Sequence, residues 1–300
     1  MKKLACVIAL FLTLQSFSQT RNDTIKLLQQ TATLFNLNFT EAEADSMIGN
    51  INSQKRIYAR MHQQLPKNDL PFPFAFNPAP YGFKVPTNQQ KITWQIPNNV
   101  TIPKDKNDLA FYSIMQLASL IKNKKITSVE LTRFFIDRLK KWGDTLESVI
   151  TLTEDLALQQ AKQADEEIKK GKYRGPLHGI PYGLKDLFAV KGYKTTWGTT
   201  PYKDQMIDED SYVYLKLRDA GAVLCAKLSL GALAFNNKWF GGETKNPWNL
   251  QEGSSGSSAG SAASVVAGLL PFTIGTETLG SIVSPSTRCG ATGLRPTFGT

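Results

Sequence analysis

Serine, glycine and lysine are the residues through which this sequence could do chemistry. The run GSSGSSAGS over 253–261 has the composition of a flexible linker. It leads at once into the small and apolar residues 262–270, and then into TIGTETLGS over 273–281. A linker opens onto a domain boundary, whereas this run opens onto core. Small residues let backbones approach closely and leave amide N–H groups exposed, which a site that must hold an anion requires. Within the run, residues 256–260 match G-x-S-x-G, with Ser258 at the centre. A nucleophile elbow of that kind needs an apolar strand before it and a later histidine. Residues 249–255 (NLQEGSS) are polar, and no histidine follows His178.

With only two histidines, His62 and His178, the base must be sought among other side chains. Lys185 ends the apolar run IPYGL and is followed by Asp186, Leu187 and Phe188. On the surface it would pair with Asp186. As a base it must be desolvated, because at a pKa of about 10.4 only on the order of one lysine in a thousand is neutral at pH 7. Burial disfavours the ammonium form. An apolar strand end beneath a Gly/Ser-rich loop would provide that burial. Cys225 and Cys289 lie in apolar or small-residue surroundings and read as small buried hydrophobes. No Cys/His cluster has metal-ligand spacing, so no metal is expected.

The elements that must position these residues alternate. Residues 109–122 read as an amphipathic helix, and Thr127 to Glu130 carries a capping box that opens a second helix through Lys141. A short strand over 149–152 and a helix over 153–170 follow. Residues 180–184 and 222–226 read as buried strands, with a helix over 211–220 before the second. Residues 258–268 read as a small-residue helix and 271–275 as a strand. Such alternation predicts an α/β fold on a parallel or mixed sheet.

Ahead of this lie two further regions. Residues 1–18 have a basic start (Lys2, Lys3), an apolar stretch from Leu4 to Leu14 and small residues at Ser16 and Ser18. These are the parts of a secretory signal peptide, with cleavage before Gln19. Its apolar run is too short for a membrane anchor. Residues 19–105 form an extension, helical from about Asn22 to Gln64 with a helix start at Asn38 to Glu41, then rich in proline and aromatics from Pro66 to Pro103. The net charge of +10 includes no Arg-rich block and no basic stripe interleaved with aromatics, so a nucleic-acid partner is not expected.

Three blocks in this order resemble the amidase-signature enzymes. The first is GPLHGIPYGLKDL over 175–187. The second is NPWN over 246–249, leading into the Gly/Ser run and AASVVAG over 262–268. The third is GTETLGSI over 275–282, continuing to GLRPTFG over 293–299. Residues 208–210 and 217–228 follow the family pattern too, so the similarity covers roughly 108–300. It implies a mixed β-sheet core flanked by helices on both faces, over residues 106–300. It also implies a Ser–cisSer–Lys triad, with Lys185 as base, Ser257 as bridging serine and Ser281 as nucleophile. The backbone N–H groups of Thr278, Leu279, Gly280 and Ser281 would form the oxyanion hole. No cofactor is implied, and His178 stays structural. The substrate would be a small-molecule or short-peptide amide.

Two departures qualify the resemblance. Leu279 stands where most members have glycine; a positive φ there would cost a leucine roughly 1–3 kcal/mol. The string GTETLGSIVSP is nevertheless similar to a branch that includes peptide amidases, and Val283 replaces a common arginine. Family members also continue past the last motif, so the chain is expected to be C-terminally incomplete. Three functions stay open: an exported bacterial amidase, a secreted binding protein without catalysis, and an A-type amidotransferase subunit for misacylated tRNA. Periplasmic or secreted location without a stable membrane anchor follows from the first two. Self-association is left open.

Overall fold

The computed structural model describes residues 21–65, 82–84, 87–88 and 92–296. The signal-peptide reading and most of the proline-rich stretch lie outside these residues. The chain divides between Phe83 and Lys84 into two compact units, each described by itself.

In the first unit, residues 21–33 form helix α1 and Glu41–Gln63 form α2. Thr40 caps α2 and exchanges hydrogen bonds with Glu43, a full capping box at the expected start. Ile25, Ala44 and Ile48 are buried together against Leu28 and Phe39. Among the described residues, no helix is long and apolar enough to cross a membrane.

The second unit holds the sheet. Its elements are helices α3 (Ile114–Lys122) and α4 (Ser128–Leu146), strand β1 (Val149–Leu152), α5 (Glu154–Lys169) and β2 (Pro181–Lys185). These are followed by α6 (Tyr212–Asp219) and β3 (Val223–Leu228). Short strands β4 (Lys238–Trp239), β5 (Gly242–Glu243), β6 (Lys245–Asn246) and β7 (Asn249–Gly253) come next. Then come α7 (Ala259–Val266), β8 (Thr273–Ile274) and α8 (Val283–Cys289). The main sheet has the order β1-β3-β2-β8, with β3, β2 and β8 parallel and β1 antiparallel to β3. It is the mixed α/β sheet that the pattern implied.

Side chains alternate across each strand, and the two faces bury different clusters. On one face Val223 and Cys225 meet Leu117 and Ile121 of α3, Leu131 and Phe135 of α4, and Ala157 and Ala161 of α5. On the other, Tyr182, Leu184 and Leu224 pack with Val190 and with Tyr214 of α6. Each fully buried aliphatic or aromatic side chain contributes about 1.5–3 kcal/mol. Among the described residues, Cys225 and Cys289 are free and buried, and burial pushes their thiols up, Cys289 to about 11.

One expected element is interrupted. The helix predicted over 109–122 is a 3₁₀ turn, Lys106–Phe111, followed by a fresh start at Ser113. The Ser113 hydroxyl accepts from the Gln116 N–H, and the Gln116 side chain accepts from the Ser113 N–H. That capping box satisfies donors that a continuous helix would have used. The helix predicted to end near Lys141 runs on to Leu146 and stops at Glu147, where φ turns positive.

Candidate active site

The parallel strands β2, β3 and β8 all point their carboxyl ends to one edge of the sheet, where open α/β sheets commonly bind ligands. Lys185 is the last residue of β2, a strand buried along its whole length. β8 runs straight on into Gly275 and Thr276. The Gly/Ser run passes the same edge and enters α7 at Ser258.

These pieces meet around one amine. Lys185 is fully buried, with Nζ 2.8 Å from Ser257 Oγ, 2.8 Å from Thr276 Oγ1 and 3.1 Å from Ser258 Oγ. Burial pushes its pKa down to about 7, so a large share of the amine is neutral at physiological pH. The lysine does not pair with Asp186. A neutral amine among three hydroxyls can take a proton from one of them.

Ser257 and Ser258 are both buried, and they face different duties. Ser258 Oγ donates to the Thr276 carbonyl at 3.1 Å and accepts the Thr276 N–H at 3.2 Å, tying α7 to the end of β8. The strand before the Gly/Ser run is β7, an exposed hairpin partner of β6, so the elbow geometry considered for Ser258 is absent. The Gly256–Ser257 peptide bond is cis. A Cβ on Gly256 would collide with the Asn236 carbonyl, so the close approach of these two loops excludes any side chain there. The Ser257 carbonyl accepts the Gly231 N–H at 3.2 Å from the same neighbouring loop.

Ser281 follows the tight turn after β8. Its carbonyl accepts the Ser258 N–H at 3.0 Å, which places it beside the Lys185 cluster. Its hydroxyl takes no hydrogen-bond partner among the described residues. Catalytic contacts often tighten only when substrate is bound. The N–H groups of Thr278, Leu279 and Ser281 likewise have no partner among the described residues. That of Gly280 faces the Glu277 carboxylate. The positive φ of this turn falls on Gly280 (88°), and Leu279 is not among the positive-φ residues. Leu279 therefore carries no backbone penalty, and its side chain, 94% exposed, points into open space.

His178 stands apart from this cluster. It is buried beside Tyr173, its Nδ1 accepts the Arg174 N–H at 3.1 Å, and burial holds its pKa down. Among the described residues, no group of three or more His, Cys, Asp or Glu is placed to hold a metal.

Reading along the chain missed Thr276 and Ser258 as partners of the amine. It also missed the buried ion pair of Asp186 with Lys227, 2.6 Å apart. All four sit inside the motif strings, but nothing in their spacing says which side chain each one meets.

A family model described as Amidase matches residues 130–300. The A subunit of glutamyl-tRNA(Gln) amidotransferase from Coxiella burnetii (strain Dugway 5J108-111) is 43% identical over 190 residues, 62% of this chain and 39% of the relative. The protein of the same description from Marinomonas sp. (strain MWYL1) is 44% identical over the same shares. Among solved structures, native peptide amidase from Stenotrophomonas maltophilia is 36% identical with a TM-score of 0.56. That match covers 60% of this chain and 39% of the other. The peptide amidase PAM, solved with the competitive inhibitor chymostatin, is 37% identical with a TM-score of 0.59, covering 62% and 40%. The chain thus spans about two fifths of the length of these relatives.

Proposed function

The chain belongs to the amidase-signature family, and from that membership we propose that it hydrolyses the C–N bond of a linear carboxamide through a serine acyl-enzyme. The observation that carries the proposal is the buried Lys185 amine, 2.8 Å from the Ser257 hydroxyl at the carboxyl edge of the sheet. In this reading neutral Lys185 draws a proton through Ser257 while Ser281 attacks the amide carbonyl. The free N–H groups around Ser281 hold the tetrahedral oxyanion, where losing one donor costs ~10²–10³ in rate. The proton then returns to the leaving amine, and water cleaves the ester. A small-molecule or short-peptide amide is the substrate class, in keeping with the likeness to peptide amidases.

The expected result is covalent labelling of the full-length protein by a serine-directed fluorophosphonate, abolished by Ser281→Ala. Absence of labelling in the parent protein, with the fold intact, would sink the proposal.

A second reading has one observation in its favour, the amidotransferase subunits found among the curated relatives. Here the chain would act on a charged tRNA as part of an assembly. Export separates the two readings, since tRNA charging is cytoplasmic. We propose that residues 1–18 direct export. N-terminal sequencing of the protein from a periplasmic fraction is then expected to begin at Gln19. An intact Met1 on protein confined to the cytoplasm favours the tRNA reading.

A further inference from the structure

We propose that Glu277 shapes the nucleophile turn, acting as a positioning residue for the reaction proposed above, on which this inference rests. Glu277 lies between Thr276, which touches the Lys185 amine, and Ser281. Its side chain is only 5% exposed. Oε2 accepts the N–H of Ile282 at 2.7 Å and of Val283 at 2.8 Å. Oε1 lies 3.8 Å from Nε of Arg295.

The consequence is a closed ring. A carboxylate at the start of the turn grips the two amides just past the nucleophile and also faces the N–H of Gly280, so the turn closes around it. Ile282 and Val283 are consumed as donors, whereas the N–H groups of Thr278, Leu279 and Ser281, which have no partner among the described residues, are available to an incoming anion. A carboxylate so near a developing oxyanion would oppose it by Coulomb repulsion. Its charge is instead already engaged, by the gripped amides and by Arg295. Burial favours the neutral acid, but the N–H groups of Val283, Ile282 and Gly280 together with Arg295 outweigh it and hold the carboxyl below its usual range. Glu277 is therefore an ionised acceptor at neutral pH, and its role is to aim backbone dipoles without touching substrate.

The test compares Glu277→Ala and Glu277→Gln with the parent protein, read by fluorophosphonate labelling rate and melting temperature. Removing the acceptor is expected to slow labelling about a hundredfold, the loss typical of one misplaced oxyanion donor. The glutamine oxygen can accept the same two N–H groups, so Glu277→Gln is expected to stay within about tenfold of the parent. A merely structural role predicts losses that follow melting temperature, with no rescue by glutamine. Glu277→Ala labelling at the parent rate overturns the proposal, as does Glu277→Gln being as slow as Glu277→Ala. Residue-resolved hydrogen exchange provides a readout independent of activity and of how the alanine variant folds. In the parent and Glu277→Gln, Ile282 and Val283 should exchange slowly, while Thr278, Leu279 and Ser281 exchange fast. Ile282 and Val283 exchanging as fast as Thr278 overturns the proposal. A parent protein that is protected in this way but never labelled counts against the acyl-enzyme reading alone.

Discussion

Lys185→Met is expected to end the proposed amide hydrolysis and, at neutral pH, to make the protein more stable. Lys185 has its pKa at about 7 when folded, because burial penalises the ammonium form. In the unfolded chain it returns to the ordinary value of about 10.4. Between those values the unfolded chain binds more protons than the folded one, so stability rises with pH across the window. At pH 7 and below the lysine therefore costs the fold on the order of 3–5 kcal/mol, and above pH ~10.4 the cost is gone. Methionine fills similar space without a charge to bury. The hydroxyls of Ser257, Ser258 and Thr276 lose a partner, which returns about 1–3 kcal/mol. The net gain is expected to be on the order of 1–3 kcal/mol near pH 7 and to shrink or reverse by pH 10. Thermal unfolding of both proteins at pH 6.5 and pH 10 measures it. A methionine variant that keeps its activity, or whose stability difference ignores pH, contradicts the assignment of a neutral buried base.

The second large effect concerns the other buried lysine, which has the opposite design. Lys227 and Asp186 are both fully buried, 2.6 Å apart. Lys227 Nζ also donates to the Lys194 carbonyl at 2.6 Å and to Thr195 Oγ1 at 2.7 Å. Burial pulls the Lys227 pKa down, and Asp186 pulls it back up. The remaining Asp186 oxygen accepts the N–H of Thr196 at 2.8 Å and its hydroxyl at 2.5 Å. The pair pins β2, β3 and the loop 194–196 together immediately behind Lys185. Asp186→Ala would leave an uncompensated buried ammonium and is expected to cost about 3–5 kcal/mol. Replacing both partners with apolar residues, as in Asp186→Leu with Lys227→Met, should recover most of that loss, because desolvating two charges offsets much of their attraction. Denaturant unfolding of the single and double variants forms a cycle. A double variant no more stable than Asp186→Ala would show that the cost is not an orphaned charge.

Much of the architecture is legible because its signals are local. The capping boxes at Thr40 and Thr127 depend on a side chain and the backbone three residues on, so they survive any tertiary context. The apolar runs of β2 and β3 announce strands buried on both faces. The break at Ser113 was equally local but hidden, because apolar periodicity continues through it and only the Ser113–Gln116 exchange marks a new start.

What only tertiary structure decided was which side chain meets which. Lys185 and Asp186 are neighbours that look like an ion pair, yet successive side chains leave a strand on opposite sides. One therefore meets the hydroxyls at the start of α7, and the other meets a lysine on the adjacent strand. The same holds for Leu279. Its backbone cost depended on where the turn after β8 puts its positive φ, and that falls on Gly280. The sequence by itself determined the elements, the family pattern and a lysine in place of histidine as the candidate base. Those properties follow from residue type and short-range spacing. The burial of that lysine among Ser257, Ser258 and Thr276 arises from contacts between segments far apart in the chain, which the folded sheet edge brings together. The grip of Glu277 on Ile282 and Val283 spans only a few residues, yet it depends on the shape of the turn after β8 and not on residue type alone.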